Sequence, residues 1–160
     1  MLTLRPSLPR VDPQRSERAA VLLDRALGSS KVMTARDQCE PFAKDESEAV
    51  GETPDIVVHA ATANDISTTL RIAQQMGVPV TPRAGGSGRT GGAVPVCAGI
   101  VLSTSSMKGI KEIDRTDQLA VVEPGVILSD LQDAVEREGL FFFRRIRACD
   151  LLLFGRKRRR

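Results

Sequence analysis

Glycine dominates the segment 82–92, which reads PRAGGSGRTGG and holds five glycines between residues 85 and 92. Because glycine has no Cβ, the backbone here can turn sharply and aim several N–H groups at one point. Such a loop suits a phosphate or pyrophosphate. The competing interpretation is a flexible surface connection without a ligand. The residues on either side of the loop distinguish between these possibilities.

Apolar patterns before and after this loop predict β-strands. Residues 56–59 read as a short buried strand, and a helix follows, with a capping box between Thr62 and Asp65. Residues 78–81 form the next predicted strand, which leads into the loop, and residues 99–103 form the strand after it. The loop is therefore expected at the exit of the second strand of a strand–helix–strand unit, where ligands of α/β folds commonly bind.

The other elements are predicted from the helical or alternating spacing of apolar residues. They are a helix from Asp12 and Pro13 to Gly28, an irregular polar segment over 29–53, strands over 110–114 and 119–123, a helix with a capping box between Ser129 and Gln132 that ends at Gly139, and a further strand from Leu140. The sequence therefore predicts a mixed α+β fold without repeats.

Two other phosphate-binding motifs are excluded by residues in and around the loop. Residues 86–91 match GxGxxG, but the dinucleotide fingerprint needs a helix that starts inside the motif, and Pro95 stands where the interior of that helix would be. A P-loop needs GxxxxGK[ST], but Arg89 replaces its lysine and Arg83 its first glycine. What remains is a strand, a glycine-rich loop and another strand with no helix between them.

This arrangement resembles the FAD-binding domain of the vanillyl-alcohol-oxidase/PCMH-type flavoprotein family. The segment 78–95 is similar to the family's VPV-xx-RGxGTG-xSGGA-xP loop, with Ala84 at a position that is commonly glycine. Other segments match family motifs in the same order: 42–47 (Y-xx-D-x-S, with Phe42 for Tyr), 54–65, 107–114 (MNRIxEID) and 121–126 (V-x-PGV). The similarity covers roughly residues 20–142 and is closest to the branch with glycolate oxidase FAD subunits and D-lactate or D-2-hydroxyacid dehydrogenases.

The resemblance implies that FAD lies between two small α+β subdomains and takes a hydride from a 2-hydroxy acid such as glycolate or D-lactate. It also implies an electron acceptor and partner subunits. The residues it places against FAD are Arg83, Ala84, Gly85, Gly86, Ser87, Gly88, Thr90, Gly91, Gly92, Pro124 and Gly125. Residues 84–88 of this set would hold the pyrophosphate, while Arg83 is either a phosphate partner or a strand-end ion pair. No catalytic residue is assigned.

The family pattern stops after residue 142. We expect residues 1–53 to be an N-terminal helix and lead-in, residues 54–142 an incomplete PCMH-type FAD-binding domain, and residues 143–160 a basic tail. Residues 144–160 hold eight basic residues and one acid, which leaves −4 for the rest of a chain whose net charge is +3. Residues 143–147 can be encoded by bases that read Pro-Pro-Asp-Pro in another frame, as the family continues. We therefore expect the tail to be translated out of frame and the substrate-binding part to be missing.

Composition excludes several further classes. The chain has no Trp, no Tyr and five Phe, which argues against a protein that stacks nucleic-acid bases. No apolar run approaches the roughly 20 residues of a membrane span. The scattered Cys39, Cys97 and Cys149 indicate reduced thiols in a cytoplasmic protein rather than disulfides or a metal site. His59 is expected in a strand, and the acidic stretch 45–48 is expected to be a solvated face.

Three functions remain open at this level. The favoured one is an FAD-dependent 2-hydroxyacid oxidoreductase, present as a fragment of its FAD domain. The second is a non-catalytic FAD- or nucleotide-binding module, or an inert fragment. The third is a binder of anionic surfaces or nucleic acid through the basic residues 156–160, which would act without sequence specificity.

Overall fold

The computed structural model describes residues 9–142 of the chain. The helices are α1 (Pro13–Leu27), α2 (Arg36–Cys39), α3 (Ala63–Met76) and α4 (Leu128–Arg137), with a 3-10 turn at Glu40–Phe42, and the strands are β1 (Val32–Met33), β2 (Ile56–His59), β3 (Val80–Arg83), β4 (Ile100–Ser103), β5 (Ile110–Asp114) and β6 (Leu119–Val122). This confirms the expected α+β class. Residues up to Thr104 form one compact unit, and those from Ser105 onward form a second.

Two sequence predictions concern the ends of the chain and its division. The basic tail at 143–160 lies outside the described residues, and the division into 1–53, 54–142 and 143–160 stays a prediction. Within residues 9–142, no helix is both long enough and apolar enough to cross a membrane.

A four-stranded sheet organises the first unit, with the strand order β1-β2-β4-β3. β4 lies between β2 and β3 and runs parallel to both, so that Val101 is paired with Val57 on one side and with Thr81 on the other. All four residues of β4 are buried, as expected for the central strand of a parallel sheet. The short β1 pairs antiparallel with β2 and forms one edge.

The segment 29–53, predicted to be irregular, instead contains β1, α2 and the 3-10 turn. It covers part of the sheet, because Cys39 packs with Val57 and Val101 while Met33 and Phe42 lie against the same cluster. Burial raises the pKa of the Cys39 thiol, and the negative charge of nearby Asp55 raises it further. Cys39 is therefore a protonated packing residue.

Asp55 ties together the beginnings of α1, β2 and β4. Its carboxylate accepts hydrogen bonds from the Ser16 hydroxyl (2.7 Å), from Arg10 (2.7 Å) and from the Gly99 N–H (3.2 Å). Gly99 has a φ of +74°, and a Cβ there would lie 2.6 Å from the Pro79 carbonyl oxygen. Only glycine fits at this turn, so the start of β4 is fixed by backbone geometry.

β3 begins two residues later than the sequence predicts. Gly77 ends α3 with a φ of +64°, and the Val78 N–H donates to the Ala73 carbonyl oxygen at 2.9 Å. Val78 therefore closes the helix instead of joining the sheet. As a result the strand extends to Arg83, which pairs with Ser103 immediately before the glycine-rich loop.

The second unit is a β-hairpin packed against one helix. β5 and β6 pair antiparallel, with a register shift between Ile110 and Glu112. Leu128, Leu131 and Val135 of α4 form a buried cluster against the apolar side chains of the hairpin. The helical spacing of these three residues places them on one face of α4, and this face forms the core of the unit.

Two predictions for the second unit are wrong. The N-cap of α4 is Ile127, without a side-chain hydrogen bond, so Ser129 lies inside the first turn and does not form a capping box with Gln132. Residues 140–142 form no strand, and Phe142 packs into the α4 cluster instead. In both places the burial of apolar side chains determines the structure and overrides the local sequence pattern.

The capping box at the start of α3 is confirmed. The Asp65 N–H donates to Thr62 Oγ1 (3.1 Å), and the Asp65 carboxylate accepts from the N–H groups of Thr62 (3.1 Å) and Ala61 (2.9 Å). Lys31 Nζ lies 2.9 Å from the same carboxylate. Burial by itself raises the pKa of Asp65, but the bonds from Lys31 and the two backbone groups outweigh it, so the pKa is lowered.

We predict that Asp65→Asn removes a pH-dependent part of the stability. Because the pKa of Asp65 is lowered in the folded state, its contribution is present above the unfolded value of about 3.9 and is lost as the pH falls through the folded pKa. At pH 7 the variant should lose roughly 2 kcal/mol of unfolding free energy. This difference should shrink toward pH 2 in urea titrations followed by circular dichroism.

Asp24→Asn is the matched control, because Asp24 is exposed on α1. It should keep the wild-type dependence of stability on pH. An Asp65→Asn profile parallel to that of the wild type would contradict the role given to this carboxylate.

Candidate functional site

The glycine-rich loop begins where β3 ends and returns to the start of β4. Because these strands are parallel, residues 84–99 must run back from the carboxyl end of the sheet to its amino end. No helix forms in this connection. Within the described part of the chain, no N–H group of residues 85–92 donates a hydrogen bond to a protein acceptor. The loop therefore carries a run of uncommitted backbone donors.

Two of the glycines are required by the shape of the loop itself. Gly86 has a φ of +68°, and a Cβ there would lie 2.1 Å from Nη2 of Arg83. Gly91 has a φ of +78°, and its Cβ would lie 2.9 Å from the Cβ of Ala49. An L-residue would be strained at both positions by the backbone and by its neighbours.

The other three glycines border open space. A Cβ on Gly92 would meet nothing within 4 Å, one on Gly85 would meet only the Ser87 hydroxyl at 3.8 Å, and one on Gly88 only Asp45 Oδ2 at 3.9 Å. Ser87 Oγ is buried and has no hydrogen-bond partner within the described residues. A cradle with room beside its backbone, free N–H groups and an unpartnered hydroxyl fits the oxygens of a pyrophosphate.

The segment 44–49 supports the loop from one side. The Glu46 N–H donates to the Gly88 carbonyl oxygen at 3.1 Å. Asp45 accepts hydrogen bonds from both the hydroxyl and the N–H of Ser47, and these bonds hold the pKa of the Asp45 carboxyl below its usual range. Asp45 is partly buried while Glu46 and Glu48 are exposed. The expectation of a solvated acidic face is therefore wrong for Asp45.

The Arg83 side chain lies beside the backbone of the loop at Gly86. Its Nη1 donates to the Lys44 carbonyl oxygen at 2.7 Å, and its guanidinium carbon lies 5.5 Å from the centre of the Phe42 ring. Phe42 in turn meets the ring of His59 edge-on at 5.7 Å. Burial lowers the pKa of Arg83, and the charge of Asp45 acts in the opposite direction. Within the described residues Arg83 makes no ion pair within 4.0 Å.

Pro124 and Gly125 lie in the second unit, in the turn between β6 and α4. The Val126 N–H closes this turn on the Glu123 carbonyl oxygen (3.2 Å), and the Gly125 N–H donates to the Met107 carbonyl oxygen (2.8 Å). The Glu123 side chain accepts from the Gly109 N–H at 2.9 Å. Because its N–H is already bonded, Gly125 can contact a cofactor only through its surface or its carbonyl group.

The predicted site residues thus fall into two groups. The first group is Arg83, the last residue of β3, followed in the loop by Ala84, Gly85, Gly86, Ser87, Gly88, Thr90, Gly91 and Gly92. The second group is Pro124 and Gly125, which lie in the other unit. Sequence reasoning missed the supporting roles of Phe42, Asp45 and Ser47. The family-like spacing of 42–47 carried that signal, but the run of acids was interpreted as a solvated surface.

Similar proteins bear on the identity of this site. A family model described as FAD binding domain matches residues 54–146. An uncharacterised FAD-linked oxidoreductase of Mycobacterium tuberculosis is 37% identical over 116 residues, which are 71% of this chain and 25% of that protein. The D-lactate dehydrogenase of Archaeoglobus fulgidus is 41% identical over 87 residues, which are 54% of this chain and 19% of the relative. The glycolate oxidase subunit GlcD of Bacillus subtilis is 40% identical over 89 residues, with 56% and 19% covered.

A solved structure gives the same answer for the fold. p-Cresol methylhydroxylase with bound substrate is similar with a TM-score of 0.73 at 25% identity, over 86% of this chain and 28% of that one. The parallel sheet with its donor-lined glycine loop is thus that of a PCMH-type flavoprotein. The chain belongs to the FAD-binding domain family of FAD-linked oxidoreductases, and FAD is its cofactor. It spans about a quarter of the length of the first curated relatives.

We predict that alanine has different effects at two glycines of the loop. Gly86→Ala should lower the unfolding free energy by about 1–2 kcal/mol, because an L-residue is strained at positive φ and the new methyl group meets Arg83. Gly92→Ala should change it by no more than about 0.5 kcal/mol, because its methyl group enters open space. Urea unfolding followed by circular dichroism measures both. Equal losses would contradict the loop geometry described here.

Proposed function

We propose that residues 84–92 hold the pyrophosphate of FAD and that the whole protein oxidises a 2-hydroxy acid of the glycolate or D-lactate type. The observation that carries this proposal is the run of uncommitted N–H groups over residues 85–92. Donors of this kind, fixed in place before the ligand arrives, bind phosphate oxygens without a large ordering cost.

The roles of individual residues follow from their positions. Residues 84–88 cradle the pyrophosphate. Ser87 Oγ, which is buried and has no partner in the described part of the chain, donates to one of its oxygens. Thr90, Gly91 and Gly92 follow directly along the loop and border the same ligand. Pro124 and Gly125 contact FAD through their surfaces, since the Gly125 N–H is bonded to Met107.

The reaction proposed for the whole protein is a two-electron oxidation. The α-carbon of the hydroxy acid loses a hydride and its hydroxyl loses a proton, which leaves the 2-oxo acid; bound FAD supplies the hydride acceptor. The relatives named D-lactate dehydrogenase and glycolate oxidase subunit support this substrate class. A separate electron acceptor then reoxidises the flavin, and partner subunits are part of the same proposal. The free Cys39 and Cys97 support our expectation of a cytoplasmic protein.

The purified chain should discriminate ligands by their pyrophosphate. We predict that ADP, which carries this group, competes with FAD in equilibrium dialysis, and that riboflavin, which lacks it, does not. Gly92→Ala should weaken FAD binding roughly tenfold, about 1.4 kcal/mol, because its methyl group occupies the space beside the loop. Effective competition by riboflavin together with none by ADP would contradict the proposed binding mode.

Turnover tests the substrate class separately from cofactor binding. We expect little oxidation of D-lactate or glycolate by the 160-residue chain with an artificial electron acceptor, since the chain spans about a quarter of its first relatives. FAD binding without turnover would favour a binding module for this polypeptide. Robust turnover would show that the catalytic groups lie within these residues, contrary to our expectation.

A further inference from the structure

The side chain of Arg83 is held at three points between the sheet and the loop. Its Nη1 donates to the Lys44 carbonyl oxygen at 2.7 Å. Its guanidinium carbon lies 5.5 Å from the centre of the Phe42 ring. The loop closes over it at Gly86, where an added Cβ would lie 2.1 Å from Nη2 and 2.3 Å from the guanidinium carbon. The guanidinium thus lies close to both the Phe42 ring and the loop backbone at Gly86.

The contact at Gly86 links the side chain to the shape of the loop. Only a residue without a Cβ lets the backbone approach the guanidinium this closely, and the φ of +68° at Gly86 is set at the same point. Arg83 and Gly86 are therefore complementary. Nη1 is already engaged by Lys44, so the guanidinium is not free to present its full fork of donors to a phosphate.

We propose that Arg83 is a positioning residue that holds the pyrophosphate loop in its binding conformation and is not a phosphate ligand. This inference rests on the proposed function of the loop. Phe42 is its partner in that role, because the guanidinium carbon lies 5.5 Å from the centre of the Phe42 ring. This role differs from both roles that the sequence suggests for Arg83, which are a phosphate partner and a strand-end ion pair.

A lysine cannot reproduce this arrangement. The planar guanidinium stacks on an aromatic ring and donates along its edge at the same time, whereas an ammonium group is a compact point charge. Arg83→Lys keeps the positive charge and so separates the two roles. Lysine would keep part of a charge contact to phosphate, but it would lose the ring contact and the bond to Lys44 that a positioning residue needs.

The test compares Arg83→Lys, Phe42→Leu and the double variant, with Arg71→Lys as control. Arg71 is exposed on α3, so its variant should match the wild type throughout. We expect each single variant to weaken FAD binding roughly tenfold and the double variant to be little weaker than either single one, because both remove the same support.

Hydrogen exchange of the FAD-free protein provides a second readout. In both single variants exchange should accelerate at the Glu46 and Val94 amides, which donate to the Gly88 and Gly91 carbonyl oxygens of the loop, and stay unchanged in β2 and β4. A purely structural role would accelerate exchange across residues 9–104 and lower the urea midpoint. Wild-type affinity in Arg83→Lys, or unchanged exchange at the Glu46 and Val94 amides, would overturn the proposal.

The two proposals fail in distinguishable ways. If the wild-type chain does not bind FAD, the proposed function fails, while exchange at the Glu46 and Val94 amides of the FAD-free variants still decides whether Arg83 positions the loop. If Arg83→Lys does not fold, Phe42→Leu carries the test, because it removes the ring under the guanidinium and leaves the bond to Lys44.

Discussion

The site depends on a parallel strand pair that is joined without a helix. β3 and β4 lie side by side in the same direction, so the chain must travel from the end of one to the beginning of the other. Parallel strands are usually connected by a helix, whose own hydrogen bonds engage the backbone N–H groups. Here residues 84–99 connect the two strands as a loop. Among residues 9–142, no protein acceptor takes up the N–H groups of residues 85–92 at the carboxyl end of the sheet.

A loop with so many free donors needs support from the rest of the fold. The Glu46 N–H holds the Gly88 carbonyl group, Ser47 lies close to Gly91, and Arg83 fills the space under Gly86. The contacts from Glu46 and Ser47 come from a segment about forty residues earlier in the chain. Arg83 is bonded to the same segment through the Lys44 carbonyl group, which is 39 residues away in sequence. Rigid support lowers the entropy lost when a ligand binds, so the affinity of the loop depends on this segment.

Local chemistry in the sequence was sufficient for much of the fold. The capping box of Thr62 and Asp65 is present as predicted, because the pattern agrees with the apolar face of α3. The same pattern at Ser129 and Gln132 is not used, because burial of Leu128 and Leu131 makes the helix begin at Leu128. At the start of α4, apolar contacts take the place of a side-chain capping hydrogen bond. The capping residues alone do not indicate this.

The same distinction applies to the candidate site. The glycine loop without a following helix was predictable, since glycine density and the position of Pro95 are local features, and the order of the motifs around it indicated the FAD cofactor. The roles of Arg83 and Asp45 were not, because each is decided by residues far away in the chain: Lys44 and Phe42 for Arg83, and the loop itself for Asp45. The charge of Arg83 and Asp45 indicated only that both side chains are polar. It did not indicate which side of the loop each one faces.

The central claim is that the backbone of residues 85–92 receives the pyrophosphate. Titration of the ¹⁵N-labelled chain with ADP, followed by amide NMR, tests it most directly. We predict that the largest chemical-shift changes fall on the amides of residues 85–92, with only small changes along α1 and β1. Saturable binding with its largest changes elsewhere, and none in this loop, would contradict it.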